Sequence, residues 1–123
     1  MKTSSAKNKG RKLQKFVAEK LAETYNVDSG NFVSRPMGSP GADIIISPQI
    51  KEISKLGKPL SIECKNVEAI NLRAVYQAHA DKYPDSFNVL VHKKNKHKEI
   101  VVLSLTDFLT LLKLSCGEIN GTK

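Results

Sequence analysis

The segment Ser61-Ile62-Glu63-Cys64-Lys65-Asn66 puts an acid and a base two residues apart at the end of an alternating run. In a strand such residues share a face, roughly 6.5–7 Å apart along the chain. Glu63 and Lys65 therefore stand side by side, with Cys64 turned the other way. A second apolar run, Asp43-Ile44-Ile45-Ile46, begins with another acid directly after a Pro/Gly loop. If the two strands pair, Asp43, Glu63 and Lys65 converge at one sheet end. Two close carboxylates resist ionisation unless a cation joins them. Mg²⁺ suits such a pair, because it takes oxygen ligands and needs only one or two protein carboxylates; Mn²⁺ is the expected substitute. Asp43 and Glu63 are the expected metal ligands, with the backbone carbonyl of Cys64 as a third oxygen. Lys65 then stands beside the attacking water, to orient it, to help take its proton, or to stabilise charge growing on a phosphate. The chemistry this set suits is phosphodiester hydrolysis. A lone Glu-x-Lys equally describes a surface ion pair worth about 0–1 kcal/mol. The apolar Leu60 and Ile62 before it, and the acid opening the earlier strand, set this one apart.

The elements that must hold these residues are legible in the pattern. Residues 1–8 are polar and basic and read as a flexible tail. From Lys9 to Tyr25 the period is helical, with Leu13, Phe16, Val17, Leu21 and Tyr25 on one stripe. Turn formers follow in residues 26–31. Strands are predicted at residues 31–35, 43–47, 59–65, 87–94 and 98–105. Ser47, Pro48 and Gly57 read as the cap, first residue and stop of a short helix. A longer helix is predicted over residues 71–83, capped by Asn71, ended by Pro84, with His79 on its inner stripe. A final helix over residues 106–114 is expected to be capped by Thr106, and residues 115–123 to fray. The last two strands form an antiparallel hairpin with a basic tip. The expectation is one α/β domain over residues 9–114, with a mixed central sheet of about five strands flanked by helices.

The chain has 123 residues, a formal net charge of +8 and a pI near 9.6. That balance favours a polyanionic partner, nucleic acid first. Lys9, Arg11 and Lys12 in the first helix and Lys93, Lys94 and Lys96 at the hairpin tip are the candidate phosphate contacts. Aromatic residues are few and not interleaved with the basic ones, which argues against a single-strand stacking platform. No apolar run approaches the ~18 residues of a membrane span. Cys64 and Cys116 have neither metal-ligand spacing nor a disulfide framework, so an intracellular compartment is expected.

Asp43 in "GADIII" followed by Glu63 and Lys65 in "SIECK" resembles the PD-(D/E)xK nuclease superfamily. Within it, "NKGRKLQKFVAEKL", "SRPMGSPGAD", "IECKN" and "YQAHADK" resemble the archaeal-type Holliday-junction resolvases and related small phage-encoded endonucleases. The likeness spans about Lys7 to Lys113. It implies a restriction-endonuclease-like fold, a Mg²⁺-dependent DNA endonuclease acting on four-way junctions, and a homodimer. It also implies a loop near the scissile phosphate carrying Arg35 and the catalytic candidate Ser39, and Gln77 as a polar neighbour of Lys65. The resembled enzymes carry a glutamate on the inner face of the first helix. Here Gln14 stands in that place, positioning without charge, while Glu19 and Glu23 face solvent. Two other readings stay open: a flap, nicking or restriction-like nuclease, and a basic DNA-binding module without catalysis.

Overall fold

The structure, a computed structural model, describes residues 4–116. The elements in chain order are α1 (Ser4–Tyr25), a 3₁₀ turn (Ser29–Asn31), β1 (Phe32–Ser34), β2 (Ile44–Ile46), α2 (Pro48–Ile53), β3 (Leu60–Asn66), α3 (Leu72–Lys82), β4 (Phe87–Lys93), β5 (Ile100–Val102) and α4 (Leu105–Ser115). They form one small α/β domain.

α1 starts at Ser4, within the segment expected to be a tail. Ala6, Lys7 and Lys9 are good helix formers, and Arg11 Nη1 donates to Asn8 Oδ1 at 2.9 Å across one turn. The helix ends in a Schellman motif. Asn26 takes a left-handed φ of 57°, its N–H donates to Glu23 O, and Val27 N–H donates to Ala22 O. The buried stripe lies slightly round from the predicted one. Leu13, Gln14, Val17, Ala18 and Ala22 are buried, while Phe16 is 39 % exposed. Small alanines let the strands approach, and Phe16 is left on the rim.

The strands make two sheets rather than one of five. β1 pairs with β2 antiparallel, with Ser34 opposite Ile44. β3 pairs with β4 parallel, and β4 with β5 antiparallel, in the order β3-β4-β5. The ladder does not run on from β2 to β3, for a visible reason. Asp43 N–H donates to Ile62 O at 3.1 Å, but the next donor, Cys64 N–H, is taken at 2.7 Å by the Asp43 carboxylate. A side chain occupies the place where a backbone carbonyl would have continued the sheet.

α1 packs on β1 and β3, and α3 packs on β4. Residues of α1 meet Phe32, Ile44, Ile50, Ile62, Cys64 and Val91 in one apolar cluster. Phe87, Ile50 and Leu90 are the most completely enclosed side chains, each worth about 1.5–3 kcal/mol of burial. Asn71 caps α3 as expected, its Oδ1 accepting from Ala74 N–H at 3.0 Å. Ser104, not Thr106, caps α4, accepting from Asp107 N–H at 3.0 Å, so the helix begins one residue earlier than predicted. α2 does start at Pro48 but stops at Ile53, before Gly57, which turns the chain at a φ of 83°. No helix among the described residues is long and apolar enough to cross a membrane. The frayed end expected at residues 115–123 lies outside the described residues beyond Cys116.

Candidate active site

The alternation of β3 sorts its side chains as the spacing predicts. Leu60 and Ile62 face α1, while Glu63 and Lys65 line a cleft of about 300 Å³ against α3 with Val75, Ala78, His79 and Lys82. Cys64 is buried on the opposite side. Burial in apolar surroundings, followed by the Asp43 and Glu63 charges, pushes its thiol well above the ordinary range. Its side chain is inert; its backbone carries the role. Within a strand the N–H and C=O of one residue point to the same edge. The Cys64 carbonyl therefore lies on the edge where its N–H meets Asp43.

Asp43 reaches that edge through a shaped loop. Arg35 N–H donates to Asp43 O at 2.8 Å, and Arg35 Nε donates to Ala42 O at 2.6 Å. The guanidinium lies across Gly41, whose φ is 120°; a Cβ there would stand 2.5 Å from Arg35 Cζ. Only glycine tolerates both conditions. Arg35 is thus half-buried in the loop's own structure. Ser39 is exposed at the tip, its N–H donating to Pro36 O at 3.2 Å.

Burial raises the Asp43 carboxyl above its ordinary value. The Cys64 N–H opposes this, the Glu63 charge adds to it, and Lys65 and His79 oppose it. Glu63 moves the other way. The His79 ring beside it is the largest cause, burial opposes it, and Lys65 assists. Lys65 Nζ lies 3.4 Å from Glu63 Oε2, and His79 Nδ1 lies 3.6 Å from Glu63 Oε1. Two carboxyls with opposite displacements meet at one sheet end, a pattern typical of working sites.

His79 is the functional candidate that the sequence did not single out. It is 4 % exposed. Its Nε2 lies 3.0 Å from Ser61 Oγ and 3.2 Å from Ser61 O, and its ring meets Tyr83 at 5.0 Å between centroids. The ring bridges Ser61 and Glu63 on the α3 face of β3. A lone histidine on a helix stripe carries no motif; the only signal was its place on the inner stripe. His79→Ala leaves a buried serine without its partner and removes the ring beside the Glu63 carboxylate. Stability is expected to fall by about 1–3 kcal/mol, read as a lowered urea midpoint at unchanged slope.

Gln14 is buried at 7 % and accepts from Ser34 Oγ at 2.7 Å. Ser34 pairs with Ile44 beside Asp43, so Gln14 ties α1 to β1, the partner of the strand that follows the acid. Gln77 is exposed and donates to Asp81 Oδ1 at 2.9 Å on its own helix. It lines a different groove from Lys65, with Tyr76 and Val102, so His79 and not Gln77 is the α3 residue beside the pair.

The basic residues gather at the same end. Asn66 closes β3 opposite Lys93, and its Nδ2 donates to Lys9 O at 3.4 Å. This brings the first turns of α1, with Arg11 and Lys12, to the strand ends from which the hairpin bearing Lys94 and Lys96 projects. Lys93 Nζ donates to Lys94 O and His97 O, which holds the tip together. His92, next to this rim in the chain, is buried, with its Nε2 2.9 Å from Val67 O.

Among the described residues no three His, Cys, Asp or Glu side chains lie together as a metal cluster. The donor set is two carboxylates and one carbonyl, all oxygen. Such a set fits a hard divalent ion that keeps several waters and does not fit zinc. No protein-family model, characterised protein or solved structure compared with the chain matches it.

Proposed function

We propose that the protein is a Mg²⁺-dependent, structure-selective DNA endonuclease, with the four-way junction as its preferred substrate. The observation that carries the reading is the Asp43 carboxylate taking Cys64 N–H, which brings the first acid to the Glu63-Cys64-Lys65 strand end. Asp43 and Glu63 would hold the ion, and the Cys64 carbonyl would add an oxygen. Bound Mg²⁺ supplies charge stabilisation at a phosphoryl oxygen and makes water acidic enough to attack. Lys65 neutralises charge growing on the phosphate. His79 fixes the Glu63 carboxylate, and Gln14 fixes the strand before Asp43. The flanking basic rim contacts phosphates of duplex arms, positioning them without reading sequence. Resolving a junction takes two nicks at symmetric positions, which a two-fold dimer provides.

The test offers end-labelled four-way junction, flap and linear duplex in competition, with Mg²⁺ and with EDTA. Junction cutting that requires Mg²⁺ and exceeds linear duplex by at least about tenfold is expected, an advantage of about 1.4 kcal/mol. Preference for the flap or for linear duplex changes the substrate but keeps the chemistry. Binding without cleavage under Mg²⁺ or Mn²⁺ removes the enzyme and leaves a DNA-binding module.

A further inference from the structure

The cleft of about 300 Å³ that holds Glu63 and Lys65 has a second wall, which the metal chemistry leaves unused. α3 packs mainly on β4, so one flank of the helix stands open beside the end of β3. Ala74, Val75, Ala78, His79 and Lys82 line that flank and fall within about 140° of one helix face. Ala74 and Ala78 are exposed and short, Val75 is half-buried, and His79 is buried. The wall is therefore apolar in its middle, with an ammonium on either side: Lys65 from β3 and Lys82 from α3. Lys82 is exposed and makes no ion pair among the described residues.

We propose that this cleft receives one unstacked nucleotide of the DNA, adjoining the phosphate that is cut. Its base lies against the α3 wall, and its two flanking phosphates meet Lys65 and Lys82. The proposal rests on the nuclease reading and adds to it the feature of the substrate that is recognised. Charge complementarity favours this occupant: an apolar flat body with an anion at each end meets an apolar wall with a cation at each end. The volume lies at the lower end of ligand sites (roughly 300–1,000 Å³), which suits one nucleotide and not a duplex. Enzymes that hold an extruded base close it between apolar or aromatic side chains, as Ala74, Val75 and Ala78 can. A track of several bases would need successive aromatic platforms, and no aromatic residue but the His79 ring lines the cleft. Nor is the base read. Apart from the three charged residues, only His79 carries polar side-chain atoms there; its Nε2 lies 3.0 Å from Ser61 Oγ and its Nδ1 3.6 Å from Glu63 Oε1. Any base fits, and the one taken is the one most free to leave the stack. In continuous duplex that step costs unpairing and unstacking; an unpaired nucleotide at a branch avoids most of the cost. The cleft thus selects branch structure rather than sequence.

The probe is 2-aminopurine, whose fluorescence rises when the base leaves the stack. It is placed at each nucleotide flanking the branch of a fully paired four-way junction in turn, and the full chain is titrated in with EDTA. Emission is expected to rise at least about twofold at one position. A junction carrying one unpaired nucleotide there should bind about tenfold more tightly than the paired one. Ala74→Leu with Ala78→Leu fills the cleft from exposed positions with a good helix former. It should keep the circular dichroism spectrum, lose the emission rise, and bring the ratio of the two affinities to about one. Cutting in Mg²⁺ with no rise at any position keeps the nuclease and overturns the cleft. A rise without cutting supports the cleft and removes the nuclease. A double variant with the parent's rise and affinity ratio overturns the proposal.

Discussion

Asp43→Asn is expected to lower Mg²⁺-dependent cleavage by at least about 100- to 1,000-fold while making the protein more stable. The two effects share one cause. Burial raises the Asp43 carboxyl above its ordinary value, so in the metal-free protein the ionised form works against folding. The unfolded chain loses this proton first as pH rises; the folded chain keeps it longer. Stability therefore falls as pH climbs from the ordinary aspartate value through the raised one, and stays reduced above it. Asparagine offers the same acceptor to Cys64 N–H and never ionises. The variant should match the parent at about pH 3 and melt higher at about pH 7, with EDTA present throughout. A variant that cuts normally, or that melts lower at neutral pH, would contradict the role given to Asp43.

Lys65→Ala should lower the cleavage rate by about 100- to 10,000-fold. Junction affinity measured in EDTA should change much less, because the basic rim lies on other residues. The ammonium sits 3.4 Å from Glu63 Oε2 on a half-exposed side chain, so its ion pair adds little to folding. The variant is expected to fold normally and fail in kcat. Glu63 would keep its largest acidifying partner, His79, so the acid it presents stays ionised at neutral pH. Equal cutting by parent and variant would remove Lys65 from the chemistry.

The parts of this site that were legible in the sequence are those fixed by local rules. Strand alternation placed Glu63 and Lys65 on one face and Cys64 on the other. Asn71 and Pro48 marked helix starts because caps and prolines act within one turn. What escaped depends on which elements cross in space. His79 matters only because α3 lies over Ser61 and Glu63, and no spacing along the chain encodes that crossing. Gln77, two residues and about 200° round the helix from His79, was given by the resemblance as the neighbour of Lys65 and faces elsewhere. The break between the two sheets escaped because a carboxylate accepting a backbone bond is invisible to hydrophobic period. The start of α1 at Ser4 was missed because a basic, polar segment reads as tail, although its lysines and Ala6 are good helix formers.

Arg35 and Gly41 act as a single unit of architecture. The guanidinium spans the space where a side chain at 41 would begin and is fastened to the next residue's carbonyl. Shortening Arg35 would open that space but leave the φ of 120° that only glycine adopts freely, so residue 41 stays glycine either way, and losing either side of the pair would mis-aim the loop. Anyone grafting this acid-delivering turn onto another scaffold must therefore move both ends of it together.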